Sequence, residues 1–219
     1  MGHGVVDKST LVSTPTEWSI GAGNRVEQRI STSPPVGKPE PEPYRLYHFL
    51  SDVDRVLELH EEPWQIMQGL LPLVQRLVGQ SDWLDAAYLQ PDPEGPWAVY
   101  TLFDAPGYPL TVQTAVWSPG QAFPPHNHAG WGIVAVLSGT EENTLWRRVN
   151  DSSGEGPAHL VAEKNLQFQT GDVVAFDPYV IHSVQTSANT PTATFNIYGP
   201  ADFSSRLEYD LDTETAHLF

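Results

Sequence analysis

Between Trp97 and Tyr198 the chain is a succession of short segments rich in valine, threonine and aromatic residues. They read WAVYTLF, LTVQTAVW, WGIVAVLS, NTLWRRV, HLVAEK, DVVAF, HSVQT and TATFNIY, with Gly, Pro, Asp and Asn between them. Segments this short and closely spaced form antiparallel strands that close into a barrel or sandwich. The 17 glycines and 20 prolines agree with a turn-rich β protein rather than a helical bundle. A second pattern precedes the strands. Leu46, Phe49, Leu50, Val53, Val56 and Leu57 recur at helical spacing, as do Trp64, Met67, Leu70, Leu71, Val74, Leu77 and Val78. Two amphipathic helices are expected there, the second opening on Pro63, with a short third near Asp82 to Leu89.

Residues 1–43 show no sustained period and end on PPVGKPEPEP, so they read as a partly disordered tail, clamped on the body by Trp18 and Ile20. Residues 44–219 then form one domain, with helices over about 44–90 and a barrel over about 95–200. The final twenty residues are mixed and acidic, without a clear period.

The charge balance, 27 acidic against 11 basic residues for a formal net charge of −16, argues against nucleic acid and anionic membranes as partners. The absence of cysteine excludes disulfides, thiolate nucleophiles and zinc–thiolate sites, so any transition metal must use His, Asp or Glu. No apolar run is long enough to span a bilayer and the N-terminus lacks the pattern of a secretion signal, so a cytoplasmic protein is the expectation, as a monomer or small homo-oligomer.

Three of the eight histidines stand out by position. His126 and His128 lie in SPGQAFPPHNHAGWG, and His182 in GDVVAFDPYVIHSV. Residues two apart on a strand face the same side, so an H-x-H pair aims two imidazoles at one point. Pro124 and Pro125 are expected to keep this segment from pairing as a central strand. A third histidine from a distant strand would complete a three-nitrogen site with open coordination positions. H-x-H pairs also occur as ordinary core or surface histidines, and the surrounding glycines decide for a site.

Those glycines carry a resemblance to the cupin superfamily. Gly120, five residues, His126-Asn127-His128, then Gly132, six residues and Gly139 resemble the first cupin motif; Gly171 and His182, with Pro178 between, resemble the second. The fold implied is a mainly β double-stranded β-helix barrel (a jelly roll) with two or three N-terminal helices. The motif's usual glutamate is missing, its place taken by Gly132 or Ile133, which implies a three-histidine site rather than one of three histidines and a carboxylate. VWSPGQAFPPHNHAGWGIVAVLSGTEENTLWRR further resembles the cysteine dioxygenase and 3-mercaptopropionate dioxygenase group of thiol dioxygenases. What that resemblance implies is an Fe(II) centre on His126, His128 and His182, a small thiol substrate of mercapto-acid type, and its oxidation by O2 to a sulfinate.

The family's Ser-x-His-x-Tyr strand is matched unevenly by TATFNIY. Tyr198 stands for the tyrosine, Thr194 replaces the serine and Asn196 replaces the histidine, so a charge-changing relay is lost while an amide donor to the Tyr198 hydroxyl is retained. The arginine that holds carboxylate in cysteine dioxygenases would fall at or beside Tyr100, and no arginine lies between Ala86 and Leu145. Arg206 occupies about the place of the mercaptopropionate-type arginine and becomes the expected carboxylate anchor; as an ordinary surface residue it would pair with Glu208 or Asp210. Trp131 is expected to wall the pocket or to pack in the barrel core. The cysteine–tyrosine crosslink of some relatives cannot form, since its position is about Ile133. Two other functions fit the same motifs: a three-histidine dioxygenase that cleaves a carbon–carbon bond of an enolisable substrate, and a non-catalytic cupin that binds a metal or small molecule.

Overall fold

A computed structural model of the chain describes residues 15–31, 43–80, 83–150 and 153–219. An N-terminal hairpin, β1 (Thr16–Gly21) and β2 (Arg25–Ile30), precedes two helices, α1 (Leu46–Leu59) and α2 (Pro63–Val78). A 3-10 turn at Ala86–Leu89 stands where a third short helix was expected; Asp82, its expected start, lies outside the described residues. The strands that follow are β3 (Trp97–Phe103), β4 (Thr111–Trp117), β5 (Ala122–His126), β6 (Gly132–Ser138), β7 (Thr140–Arg148) and β8 (Gly156–Pro157). They continue with β9 (Leu160–Gln169), β10 (Val173–Phe176), β11 (Ile181–Thr186), β12 (Thr192–Tyr198), β13 (Leu207–Asp210) and β14 (Thr215–Leu218).

The strands form two seven-stranded sheets, ordered β2-β1-β10-β6-β12-β4-β3 and β8-β14-β13-β5-β11-β7-β9. The chain crosses from sheet to sheet at each step from β4 to β7 and again from β9 to β13, the arrangement of a double-stranded β-helix, and the fold is the expected cupin-type barrel with two helices outside it. Both helices follow from their apolar stripes. α2 opens on Pro63, which needs no backbone N–H at the first helical position. The stripes bury Phe49 and Val53 of α1 and Met67, Leu70, Val74 and Leu77 of α2 against the outer face of the first sheet, on Val116, Ile133, Ala135, Phe195 and Ile197. Trp64, which also falls on the helical period, is 37% exposed. The sheet's inner face supplies Val134, Val136, Val174 and Phe176, which pack with Leu145 and Phe168 of the second sheet and close one end of the barrel. Because β6 is buried on both faces, its sequence GIVAVLS is a continuous apolar run rather than an alternation.

Residues 15–31 depart from the expected tail. β1 pairs in parallel with β10, setting Trp18 opposite Val174 and Ile20 opposite Phe176. Asp172 latches the hairpin, its carboxylate accepting from the Thr16 N–H at 3.0 Å and the Gln169 N–H at 3.0 Å. At the hairpin tip Asn24 donates to Glu163 at 2.8 Å and its carbonyl accepts from Lys164 Nζ at 2.7 Å, tying the first sheet to the second. Trp18 and Ile20 do meet the body, the tryptophan ring standing edge-on to Phe168 at 5.5 Å. The acidic C-terminal stretch is likewise a hairpin, β13–β14, at one side of the second sheet. Among the described residues no helix is long and apolar enough to cross a membrane.

Phe195 is fully buried between sheet and helices, edge-on to Trp83 at 5.2 Å and Phe49 at 6.0 Å. Phe195→Ala is expected to lower unfolding free energy by about 3–5 kcal/mol in a denaturant titration, through lost burial plus a cavity. Phe203→Ala, at a residue 68% exposed, should stay within about 0.5 kcal/mol of the parent.

Candidate metal centre

β5 places the first of the three histidines. It carries Pro124 and Pro125 yet lies inside its sheet, between β13 and β11, contrary to the expectation that the prolines bar a central position. The missing N–H groups are accommodated because β13 meets β5 only at His126, and because the β5–β11 register shifts between His182 and Val184. In that register His126 stands directly opposite His182. His128 follows just past the strand end. Between the two histidines Asn127 turns the other way and clamps to Leu207, donating its backbone N–H at 3.0 Å and accepting the Leu207 N–H on its side chain at 2.8 Å.

The three imidazoles converge, with one ring nitrogen from each within 4.8 Å of the others. His128 Nε2 and His182 Nε2 are 2.9 Å apart. At that spacing either one nitrogen donates to the other or both lone pairs share a cation. The orientation of two rings is fixed from behind. His126 Nδ1–H donates to the Pro124 carbonyl at 2.9 Å, and His182 Nδ1–H donates to Asn143 Oδ1 at 2.7 Å, which turns Nε2 of both rings inward. Phe176 packs against His182 at 4.6 Å and Tyr198 stacks on His128 at 4.9 Å and 17°. Burial holds the His126 pKa down at about 4, with the nearby Arg206 charge acting in the same sense. His128 and His182 are lowered too, first by burial and then by the neighbouring ring charges, with Arg206 adding to the effect at His128. Three neutral imidazoles with inward lone pairs are a donor set that suits a divalent transition metal.

Gly132 is one of the two positions, with Ile133, at which the motif's glutamate was expected. It pairs across the sheet with Tyr198, and a β-carbon on it would lie 3.0 Å from the tyrosine ring. A side chain at 132 would therefore require the tyrosine ring to yield by a few tenths of an ångström. A similar close approach holds Trp131: a β-carbon at Gly199 would fall 2.2 Å from its indole. Trp131 is 3% exposed and does both things expected of it, lining the cavity and packing in the helix-side core.

The histidines open into a cavity of about 600 Å³. Thr194, Asn196 and Tyr198 alternate along β12 onto its wall. The hydrogen bond expected from Asn196 to Tyr198 is not made; among the described residues neither side chain has a hydrogen-bond partner. Burial raises the Tyr198 pKa above its ordinary value and the charge of Glu141 adds to this, so the hydroxyl stays protonated. Arg206 also lines the cavity. Its guanidinium lies over the Phe219 ring at 4.3 Å and its Nε is buried without a partner, so the expected alternative of a surface pair with Glu208 or Asp210 is not seen. Tyr100 is the correction. It faces the helices, donates to the Gln90 carbonyl at 2.8 Å and stands outside the cavity, whereas its neighbour Val99 lines it. Arg147 pairs with Glu163, Arg148 bonds Asn150, Gly154 and Pro157, and His159 bonds Glu214; none reaches the cavity.

Glu141 and Asn143 were missed. They alternate inward from β7, 5% and 1% exposed, with Asn143 donating to Glu141 at 3.4 Å and accepting from His182. Burial pushes the Glu141 carboxyl up to about 7, against the hydrogen bond from Asn143. The segment TEENTLW carried the signal, since polar residues at 141 and 143 alternate with Leu145 on one face of a strand that closes the barrel.

No protein-family model matches the chain. Among solved structures it is similar to the DMSP lyase DddQ from Ruegeria pomeroyi, at 17% identity over 48% of this chain and 47% of that one, with a TM-score of 0.36. It is also similar to a double-stranded β-helix protein from Klebsiella pneumoniae, at 19% identity over 53% of this chain and 81% of that one, with a TM-score of 0.39. A third is a cupin 2 conserved barrel domain protein from Leptotrichia buccalis, at 17% identity over 50% of this chain and 43% of that one, with a TM-score of 0.37. The chain spans about half the length of the first and less of the third.

Two substitutions probe the shell behind the histidines. Asn143→Leu removes the acceptor that orients His182 and is expected to weaken divalent-metal binding about 10- to 100-fold in equilibrium dialysis; parental affinity would show the ring is held by other contacts. Glu141→Gln addresses the buried carboxyl in metal-free protein. The folded carboxyl keeps its proton up to about 7 whereas its ordinary value is 4.5, so the parent loses stability as pH rises through that window. The variant should therefore gain on the parent between pH 4.5 and 7, by on the order of 2–3 kcal/mol in denaturant midpoints converted to free energy. A pH-independent difference would mean the carboxyl titrates normally.

Proposed function

We propose that the chain is an Fe(II)-dependent thiol dioxygenase that oxidises a carboxylated thiol to its sulfinate, R–SH + O2 → R–SO2⁻ + H⁺. The observation that carries this reading is the meeting, in one cavity, of three neutral converging imidazoles with a cation, Arg206, that makes no ion pair among the described residues. Ferrous iron, when bound by His126, His128 and His182, supplies activation of O2 and stabilisation of the thiolate form of the substrate.

The chain's own residues position the organic partner. Arg206, held flat against Phe219, offers a guanidinium fork that matches a carboxylate. Its positive charge and the absence of a ligating carboxylate leave the site attractive to anions. Tyr198 keeps its proton and donates from its hydroxyl to a negatively charged oxygen beside His128. Thr194 and Asn196 offer neutral donors and acceptors on the same wall, and Asn196 cannot change charge, so β12 orients substrate without relaying protons. Trp131, Phe176 and the aromatic residues around His126 exclude water from the reacting groups.

The iron-loaded protein, given a panel of mercapto-acids, is expected to consume O2 and yield a product heavier by two oxygens with its carbon skeleton intact. Cleaved carbon skeletons from an enolisable substrate would favour carbon–carbon cleavage instead, and no O2 uptake with any substrate would leave a binding protein. Arg206→Ala should raise KM for a mercapto-acid about tenfold or more while leaving cysteamine, which has no carboxylate, little changed. An unchanged KM for the mercapto-acid would remove Arg206 as the anchor.

A further inference from the structure

The cavity is larger than a simple mercapto-acid requires. At about 600 Å³ it lies within the range of about 300–1,000 Å³ that encloses drug-sized ligands; a three-carbon acid with one thiol fills a small part of it. One wall of the surplus space is aromatic. From His126 the rings step outward in contact: Phe123 stands edge-on to His126 at 4.9 Å, Trp117 and Trp97 stand edge-on to Phe123 at 6.2 and 5.6 Å, and Trp97 is tilted against Trp117 at 5.4 Å. Trp97 and Val99 sit on the cavity side of β3, yet remain 38% and 51% exposed, so the outer end of this wall is apolar surface open to the cavity mouth. The charged group joins this wall at its inner end: Arg206 lies over the Phe219 ring at 4.3 Å, and Phe219 stands against His126 at 5.8 Å and Phe123 at 6.0 Å.

We infer that the substrate held at this centre is an organic acid with an aryl or similarly bulky apolar tail, its carboxylate at Arg206 and its tail along Phe123, Trp117 and Trp97. Burying the outer wall under such a tail removes apolar area from water and allows offset or edge-on ring contacts, whereas a small acid leaves the wall wet. The inference shares its site with the proposed function and narrows the substrate class of that reaction; the tail subsite itself depends on neither sulfur nor iron.

Calorimetric titration of metal-free protein with propanoate and with 3-phenylpropanoate tests it. The aryl acid should bind about tenfold tighter or more. Trp97→Ala and Val99→Asp change exposed positions and should each bring the ratio of the two affinities down toward one. Two acids bound within twofold of each other, or neither bound measurably, overturns the inference, as does a preference that survives both substitutions. An apolar wall that instead buries against a second copy would also leave the ratio near one, with dimerisation lost in Trp97→Ala by sedimentation. Because both probes lack a thiol and the protein lacks metal, failure of thiol oxidation leaves this result standing, and the reverse holds equally.

Discussion

The pairing of β5 with β11, which sets His126 opposite His182, is the constraint on which the site depends. A shift of one residue in that register would turn one of the two rings out of the barrel. The register is held from both sides. β11 pairs along its whole length with β7, and Asn127 locks the end of β5 to Leu207. The same pairing brings Asn143 of β7 behind His182, so the strand that fixes the ligand's position also fixes its tautomer. Ligand geometry and barrel closure are thus one set of hydrogen bonds.

The electrostatics follow from what the barrel buries. Three imidazoles are kept neutral chiefly because water is excluded, with Arg206 adding to this at His126 and His128. At Gly132, across the sheet from Tyr198, a side chain would crowd the tyrosine ring. The buried carboxyl in the cavity comes from Glu141, bonded to Asn143 behind His182. The centre therefore combines neutral donors, one cation and a carboxyl that burial drives toward its protonated form. That combination favours an anionic organic ligand over a cationic one.

Much of this was legible in the sequence because it rests on local pattern. The strands from Trp97 to Tyr198 announce themselves by composition, and WAVYTLF is β3 from end to end. The helices follow from apolar stripes, and the three histidines from H-x-H spacing framed by glycines at turns; Gly139, between β6 and β7, holds a left-handed backbone with φ of 75°. What was not legible depends on partners distant in sequence. β1 shows only Trp18 and Ile20 as anchors, because its stability comes from backbone pairing with β10 and from the Asp172 latch. The prolines of β5 pointed away from a central strand, but the sheet spares them by meeting β13 at a single residue. Tyr100 was misplaced because the face a strand residue presents changes with one position: Val99 looks into the cavity and Tyr100 at the helices. Glu141 was overlooked because a polar residue on a strand reads as solvent-facing until the other sheet covers it.

The central claim is that His126, His128 and His182 form one metal centre. Anaerobic equilibrium dialysis of metal-free protein against Fe(II), with iron counted per chain, tests it most directly. One equivalent should bind to the parent and none at comparable affinity to His182→Ala, with both proteins folded by circular dichroism. Retention of one equivalent by the folded variant, or failure of the parent to bind iron at all, would contradict the claim.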